Sequence, residues 1–161
     1  MKEKNGEHPF GDAGQLILLA LFIILWILDS FFLQTPTFVS DYIPLYVRVL
    51  FLSVTLVTAV YLSKSGHDAV FREQRGTKVV SSGAFRYVRH PLYSACLLFY
   101  LGLVVSTASI FSLAFFVVIF FFYNYIASFE ERLLDEKFGE EYKKYKRRTG
   151  KWMLGIGKGN K

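Results

Sequence analysis

Arg89-His90-Pro91 and, forty residues further on, Glu130-Glu131 set cationic, imidazole and carboxylate groups beside apolar runs long enough to cross a bilayer. Ionisable groups at a membrane are costly and persist where they pair or bind. Proline fits the first position of a helix and not its interior, so Pro91 opens a helix and holds His90 extended just outside it. A helix N-terminus carries partial positive charge, so Arg86, Arg89 and His90 gathered there call for an anion among them, a carboxylate or a phosphate. The plainer use of the same arginines is to snorkel to lipid phosphates. Glu130 and Glu131 meet the opposite problem at the negative end of a helix, and need cationic or hydrogen-bond-donating partners. If the apolar stretch between them folds as a helical hairpin, its two ends share one side of the bilayer and His90 becomes a neighbour of Glu130. Asn124 lies seven residues before Glu131, about two turns away and on a similar face. Tyr93 and Tyr100 line the opposing helix. Such a site has an anion-binding and a cation-binding half and suits a zwitterionic ligand.

The elements that position these groups follow from hydropathy. The chain has 161 residues, 53% of them hydrophobic, with 17 Phe and 10 Tyr and a positive mean hydropathy, too much apolar surface for one ordinary soluble core. Four runs, 15–33, 44–63, 91–105 and 107–129, approach the roughly 20 residues that a helix needs to span hydrocarbon. The expected fold is therefore all-α, a polytopic membrane protein with about four transmembrane helices. It forms one membrane domain over 1–161: the first two crossings within 15–63, a cytoplasmic loop at 64–90, and a helical hairpin plus C-terminal helix over 91–148. The third and fourth crossings are joined by the uncharged turn 106–109, as a tight hairpin requires.

Orientation follows from the cations. Of 19 Lys and Arg, six lie in 64–90 and ten after Phe129, while 34–43 and 106–109 hold none. The positive-inside rule then places both termini and the middle loop in the cytoplasm, as an even number of crossings requires. The formal net charge of +6 is accounted for by this topology and by attraction to anionic headgroups. No aromatic-and-basic soluble module accompanies it, so the pattern does not read as nucleic-acid binding. The N-terminus lacks the small-residue cleavage pattern of a secretory signal, so the first apolar run is expected to be retained. Cys96 is the only cysteine, which excludes an intrachain disulfide and a cysteine-based metal site. The histidines give no support for a metal site either.

Residues 128–148 read as a helix leaving the membrane. Phe129, Leu133, Leu134, Phe138, Tyr142 and Tyr145 recur at three- and four-residue spacing, with Glu136, Lys137, Glu140, Lys143 and Lys144 on the other face. Gly139 interrupts the pattern and predicts a kink or a close backbone approach. The same stripe also suits an interfacial anchor with no chemistry. Asp29, toward the outer end of the first crossing, is expected to pair near the interface. His67, in the polar loop beside Asp68, is expected to be solvated or lid-forming and not catalytic.

At these residues the chain resembles the isoprenylcysteine carboxyl methyltransferase and phospholipid methyltransferase superfamily of integral membrane enzymes. That pattern is approximately Gly-Pro-Tyr-x-Tyr-x-Arg-His-Pro-x-Tyr, a transmembrane hairpin, Glu-Glu, then Phe-Gly-x-Glu-Tyr-x-x-Tyr. Gly83 to Tyr93, Glu130-Glu131 and Phe138-Gly139-Glu140-Glu141-Tyr142-Lys143-Lys144-Tyr145 match it in order and spacing, and the basic run Lys146-Arg147-Arg148 is similar to the tail of the isoprenylcysteine branch. Ala84 and Phe85 depart from the usual Pro and Tyr, and Tyr93-Ser94-Ala95 lacks the glycine often found two residues after that tyrosine. The first two crossings match only in being apolar.

The resemblance implies S-adenosylmethionine as methyl donor, held without a Rossmann domain. Carried over by position, Arg89, His90, Pro91 and Tyr93 belong to the cofactor pocket, Glu130 and Glu131 hold polar groups of the donor, and Arg148 meets the acceptor carboxylate, with Glu131 and Arg148 acting in catalysis. It further implies in-line methyl transfer, without a metal, to an oxygen or less readily a nitrogen of a lipophilic acceptor, an isoprenylcysteine-like carboxylate before others. Two other functions fit the same residues: a membrane-bound reductase using NADPH, and a non-enzymatic lipid-binding protein. Nothing in the sequence sets an oligomeric state.

Overall fold

The computed structural model describes residues 11–33, 42–73 and 77–152. Helix α1, Gly11–Ile27, continues as a π-helical turn over Leu28–Leu33. Helix α2 is Leu45–Arg72, and a short 3-10 turn, Gly83–Arg86, leads into α3, Pro91–Thr107. Helices α4, Ile110–Phe138, and α5, Glu140–Arg148, follow. Strands are absent among the described residues, and one isolated bridge pairs Val88 with Gly150. The expected all-helical class holds. Three segments are long and apolar enough to cross a membrane, Ala13–Phe32, Leu45–Arg72 and Ile110–Phe138, whereas α3 is apolar but shorter, at 17 residues.

Two boundaries differ from expectation. The helix that carries the second apolar run does not end at 63: α2 stays helical to Arg72, and the loop expected from 64 begins only at Glu73. At 28 residues α2 is about 42 Å long against a hydrocarbon core of about 30 Å. Its one internal glycine, Gly66, is paid for by contact, since a Cβ there would come within 3.1 Å of Pro91. Likewise the fourth crossing does not hand over to a separate helix at 128. Helix α4 runs unbroken to Phe138, and the break falls at Gly139, whose φ of +53° ends one helix and starts the next.

Helices α2 and α3 pack closest around Gly102. A Cβ at that position would lie 2.4 Å from Thr55 Oγ1 and 3.1 Å from Leu52 Cδ1. Thr55 cannot give way easily, because its hydroxyl donates back to Phe51 O at 3.0 Å and Leu52 O at 2.9 Å. Gly102→Val is therefore expected to cost about 1–3 kcal/mol by overpacking, seen as a lower midpoint in thermal unfolding of the detergent-purified protein. An unchanged midpoint would mean that the two helices separate freely here. The core proper is formed by Phe22 of α1, Leu97, Tyr100 and Val104 of α3, and Ile119 and Tyr123 of α4. The Phe22 and Tyr100 rings meet edge-on at 4.7 Å.

The end of the bundle away from His90 is tied by polar contacts. Ala108, in the left-handed conformation (φ 54°), and Ser109 make the α3–α4 turn. Ser109 Oγ accepts from Ser112 N at 3.0 Å and donates to the Asp29 carboxylate, so the π turn of α1 is pinned to the start of α4. Trp26 Nε1 donates to Leu103 O (3.2 Å) and Thr107 Oγ1 (3.1 Å), and Arg48 Nη1 to Ser106 O (3.3 Å). Positions 34–41, on which part of the charge argument rests, lie outside the described residues, as do Lys2, Lys4, Arg75, Lys158 and Lys161.

Candidate functional site

Pro91 occupies the first turn of α3 and is fully buried against α2. Its ring fixes the preceding residue outside the helix: His90 is the N-cap, with φ −125°, and is 6% exposed. The imidazole is thereby aimed at the stretch of α4 that carries Glu130 and Glu131. His90 Nε2 lies 3.2 Å from Glu131 Oε1, and Nδ1 lies 3.8 Å from Glu130 Oε2. Carboxylates only accept, so the Nε2–H of His90 donates to Glu131. Arg89 Nε sits 3.4 Å from the same Glu131 oxygen. Tyr93, one turn into α3, donates its hydroxyl to Glu130 Oε1 at 2.6 Å and stacks its ring on His90, with centroids 5.6 Å apart.

The hairpin thus brings the Arg89-His90 pair and the Glu130-Glu131 pair together, and each acid has its own partners. Glu130 belongs to His90 and Tyr93, and Glu131 to Arg89 and His90. Arg86 does not join them; it is exposed on the turn before α3. Arg148, at the end of α5, is also exposed and makes none of the contacts that join the cluster. Tyr100 lies deeper, in the apolar core. Asp29 bonds to Ser109 at the far end of the bundle, and His67 is exposed on α2.

A strand-like strap after α5 adds residues the sequence pattern did not mark. Tyr142 of α5 is 2% exposed, and Tyr145 OH donates to Phe85 O at 2.7 Å, which docks α5 on the turn before α3. Burial first, and the charge of Glu131 next, push the Tyr142 hydroxyl pKa above the usual tyrosine range. The chain then turns at buried Thr149, and Arg89 N donates to Gly150 O at 2.9 Å. That bond delivers Lys151 and Trp152 to the cluster. Lys151 Nζ donates to Asn124 Oδ1 (2.9 Å), Asn124 O (3.2 Å) and Ser128 Oγ (2.7 Å). Trp152 Nε1 donates to Asn124 Oδ1 at 3.3 Å, and its ring lies 5.8 Å from His90. Asn124 was legible as a face-sharing residue of α4. Lys151 and Trp152 were not, since they follow the last helix and no periodicity reaches them.

Arg89 Nε is buried without a hydrogen bond, its ion-pair partner Glu131 Oε1 lying at 3.4 Å. Charges of both signs thus meet at this end of the bundle.

Comparison with known proteins gives two findings. Along 84 residues, 52% of this chain, the sequence is 32% identical to Protein-S-isoprenylcysteine O-methyltransferase B of Arabidopsis thaliana. The match spans 43% of that protein's length. No solved structure matches the chain significantly. The family described as phospholipid methyltransferase matches residues 43–141, which run from the start of α2 through both acids to the first turn of α5 and make up more than half of the sequence. The chain, helical in its described residues and with Glu130 and Glu131 meeting His90 at one end of the bundle, belongs to the phospholipid methyltransferase family.

Proposed function

We propose that the protein transfers a methyl group from S-adenosylmethionine to a lipophilic acceptor, the carboxylate of an isoprenylcysteine-like compound before other acceptors. The observation that carries this reading is the meeting of Arg89 and His90, just before α3, with Glu131 of α4, at one end of an apolar bundle. The chemistry of the donor set fits the cofactor: the guanidinium of Arg89, whose Nε lacks a hydrogen bond, suits an anionic group, and two carboxylates suit an ammonium and ribose hydroxyls. When bound, S-adenosylmethionine supplies a methyl group on a positively charged sulfur, which leaves without help from a metal.

The residues of the chain then bind and orient. Arg89, His90, Pro91, Tyr93, Glu130 and Glu131 form the cofactor pocket, with Pro91 fixing His90 and Tyr93 fixing Glu130. Glu131 also aligns the donor for reaction. Arg148, whose fixed donor fork suits a carboxylate, orients the acceptor from the exposed end of α5. Alignment and exclusion of water are the principal catalytic resource, worth about 7–11 kcal/mol in favourable cases. We further read α3 as a fourth crossing, with both termini on the cytoplasmic side and α5 lying at the interface. Lys143, Lys144, Lys146, Arg147 and Arg148 crowd the site end, which supports that orientation.

Calorimetric titration of the detergent-purified protein tests this. Saturable binding of S-adenosylmethionine and none of NADPH is expected, and the reverse would replace the reading with a reductase. His90→Ala is expected to weaken S-adenosylmethionine about 10- to 100-fold, the worth of one hydrogen bond to a charged group plus the disordering of Glu131. Binding of neither molecule by folded protein would leave lipid binding alone.

A further inference from the structure

We infer that Lys151 is a binding residue of the same site, the one that takes the carboxylate of the methyl donor's amino-acid end. This rests on the S-adenosylmethionine reading above and adds a residue that neither the motif nor the matched span, which ends at 141, includes.

Lys151 is placed by backbone, not by chance exposure. The bond from Arg89 N to Gly150 O and the pairing of Val88 with Gly150 lock the strap against the segment that carries His90. From there the side chain reaches the face of α4 that presents Asn124, Ser128 and Glu131, spaced by four and three residues. Its ammonium uses three acceptors, and all three are neutral: an amide oxygen, a backbone carbonyl and a hydroxyl. Both nearby carboxylates are committed elsewhere, Glu131 to Arg89 and His90, and Glu130 to Tyr93 and His90. A partly desolvated ammonium with only neutral acceptors is under-compensated, and a carboxylate is a much stronger acceptor for it. Burial accordingly lowers the Lys151 pKa, with the charge of Glu131 opposing.

The weakest of the three bonds is the one to exchange. Asn124 O, at 3.2 Å, already accepts the Ser128 hydroxyl at 2.7 Å, so releasing it from Lys151 leaves no orphan acceptor. The remaining two bonds hold the ammonium in place for an incoming anion. An amino-acid group carries its carboxylate and ammonium on one carbon, so its binder must set a cation beside an anion. Lys151 meets that requirement by reaching Ser128, which stands three residues before Glu131 on the same face of α4. Trp152 packs against His90 and Phe120, and its ring centroid lies 5.6 Å from Lys151 Nζ.

The test compares S-adenosylmethionine with its decarboxylated analogue, which keeps the sulfonium, adenosine and amine. Wild-type protein is expected to bind S-adenosylmethionine about 10- to 100-fold more tightly than the analogue. Lys151→Met is expected to remove that difference, losing affinity for S-adenosylmethionine and leaving the analogue unchanged, and Lys151→Arg is expected to recover part of it. Equal loss toward both ligands in Lys151→Met would make Lys151 a packing residue and overturn the proposal. Equal affinity of the wild type for both ligands would overturn it without any variant, while leaving the cofactor reading intact. Failure of the wild type to bind either ligand would sink the cofactor reading itself.

Discussion

Glu131→Gln is expected to reduce affinity for S-adenosylmethionine at least about 100-fold while the protein still folds. The substitution preserves volume and removes charge. In the wild type Glu131 faces Arg89 and His90 at 3.4 and 3.2 Å, with its side chain 15% exposed. Truncating one member of a buried, hydrogen-bonded charge pair costs about 2–5 kcal/mol in binding, much of it from the partner left uncompensated, and every 1.4 kcal/mol is tenfold. Here the charge left uncompensated is that of Arg89. The glutamine amide can still accept from His90, so the fold retains a hydrogen bond where the ligand loses a charge. Calorimetry beside a thermal melt separates the two effects. An affinity within about twofold of wild type, at unchanged stability, would remove Glu131 from the site.

Tyr142→Ala is expected to undock α5 and to lower the stability of the fold sharply. The residue is 2% exposed on a helix of only nine residues, too short to persist in water by its own propensity. Helix α5 is therefore held by contact, and Tyr142 is its one buried side chain. Loss of an aromatic side chain from such a site costs about 3–5 kcal/mol. The Lys146–Asp135 ion pair beside it is over a quarter exposed and contributes at most about 1 kcal/mol. Tyr142→Phe, which keeps the ring, is expected to melt within a few degrees of wild type. Tyr142→Ala should also weaken S-adenosylmethionine, because α5 leads into the strap that carries Lys151. A melt unchanged by Tyr142→Ala would show that the other contacts suffice to dock α5.

The contrast between what the chain announces and what it conceals is instructive. Pro91 fixed the start of α3 and the aim of His90, because the backbone consequences of proline are local and depend on nothing distant. The meeting of His90 with Glu130 and Glu131 was legible for a related reason: an uncharged four-residue turn between apolar runs leaves few geometries but a hairpin. Hydropathy, by contrast, reports where solvent changes and not where a helix stops, so it cut α2 at 63 and α4 at 129. The helices continue to Arg72 and Phe138, stopped by backbone events at Glu73 and Gly139. Arg86 was grouped with Arg89 on proximity in sequence, yet the 3-10 turn leaves it facing outward. Lys151 and Trp152 were hidden because their positions depend on one backbone pairing across more than sixty residues, between Val88 and Gly150, which no window of sequence contains.

That pairing also makes two distant segments move as one. Arg89 N and Gly150 O share a hydrogen bond, so any shift of the backbone just before His90 drags Lys151 and Trp152 along with it. A disturbance on either side is thereby felt on the other without passing through the apolar core.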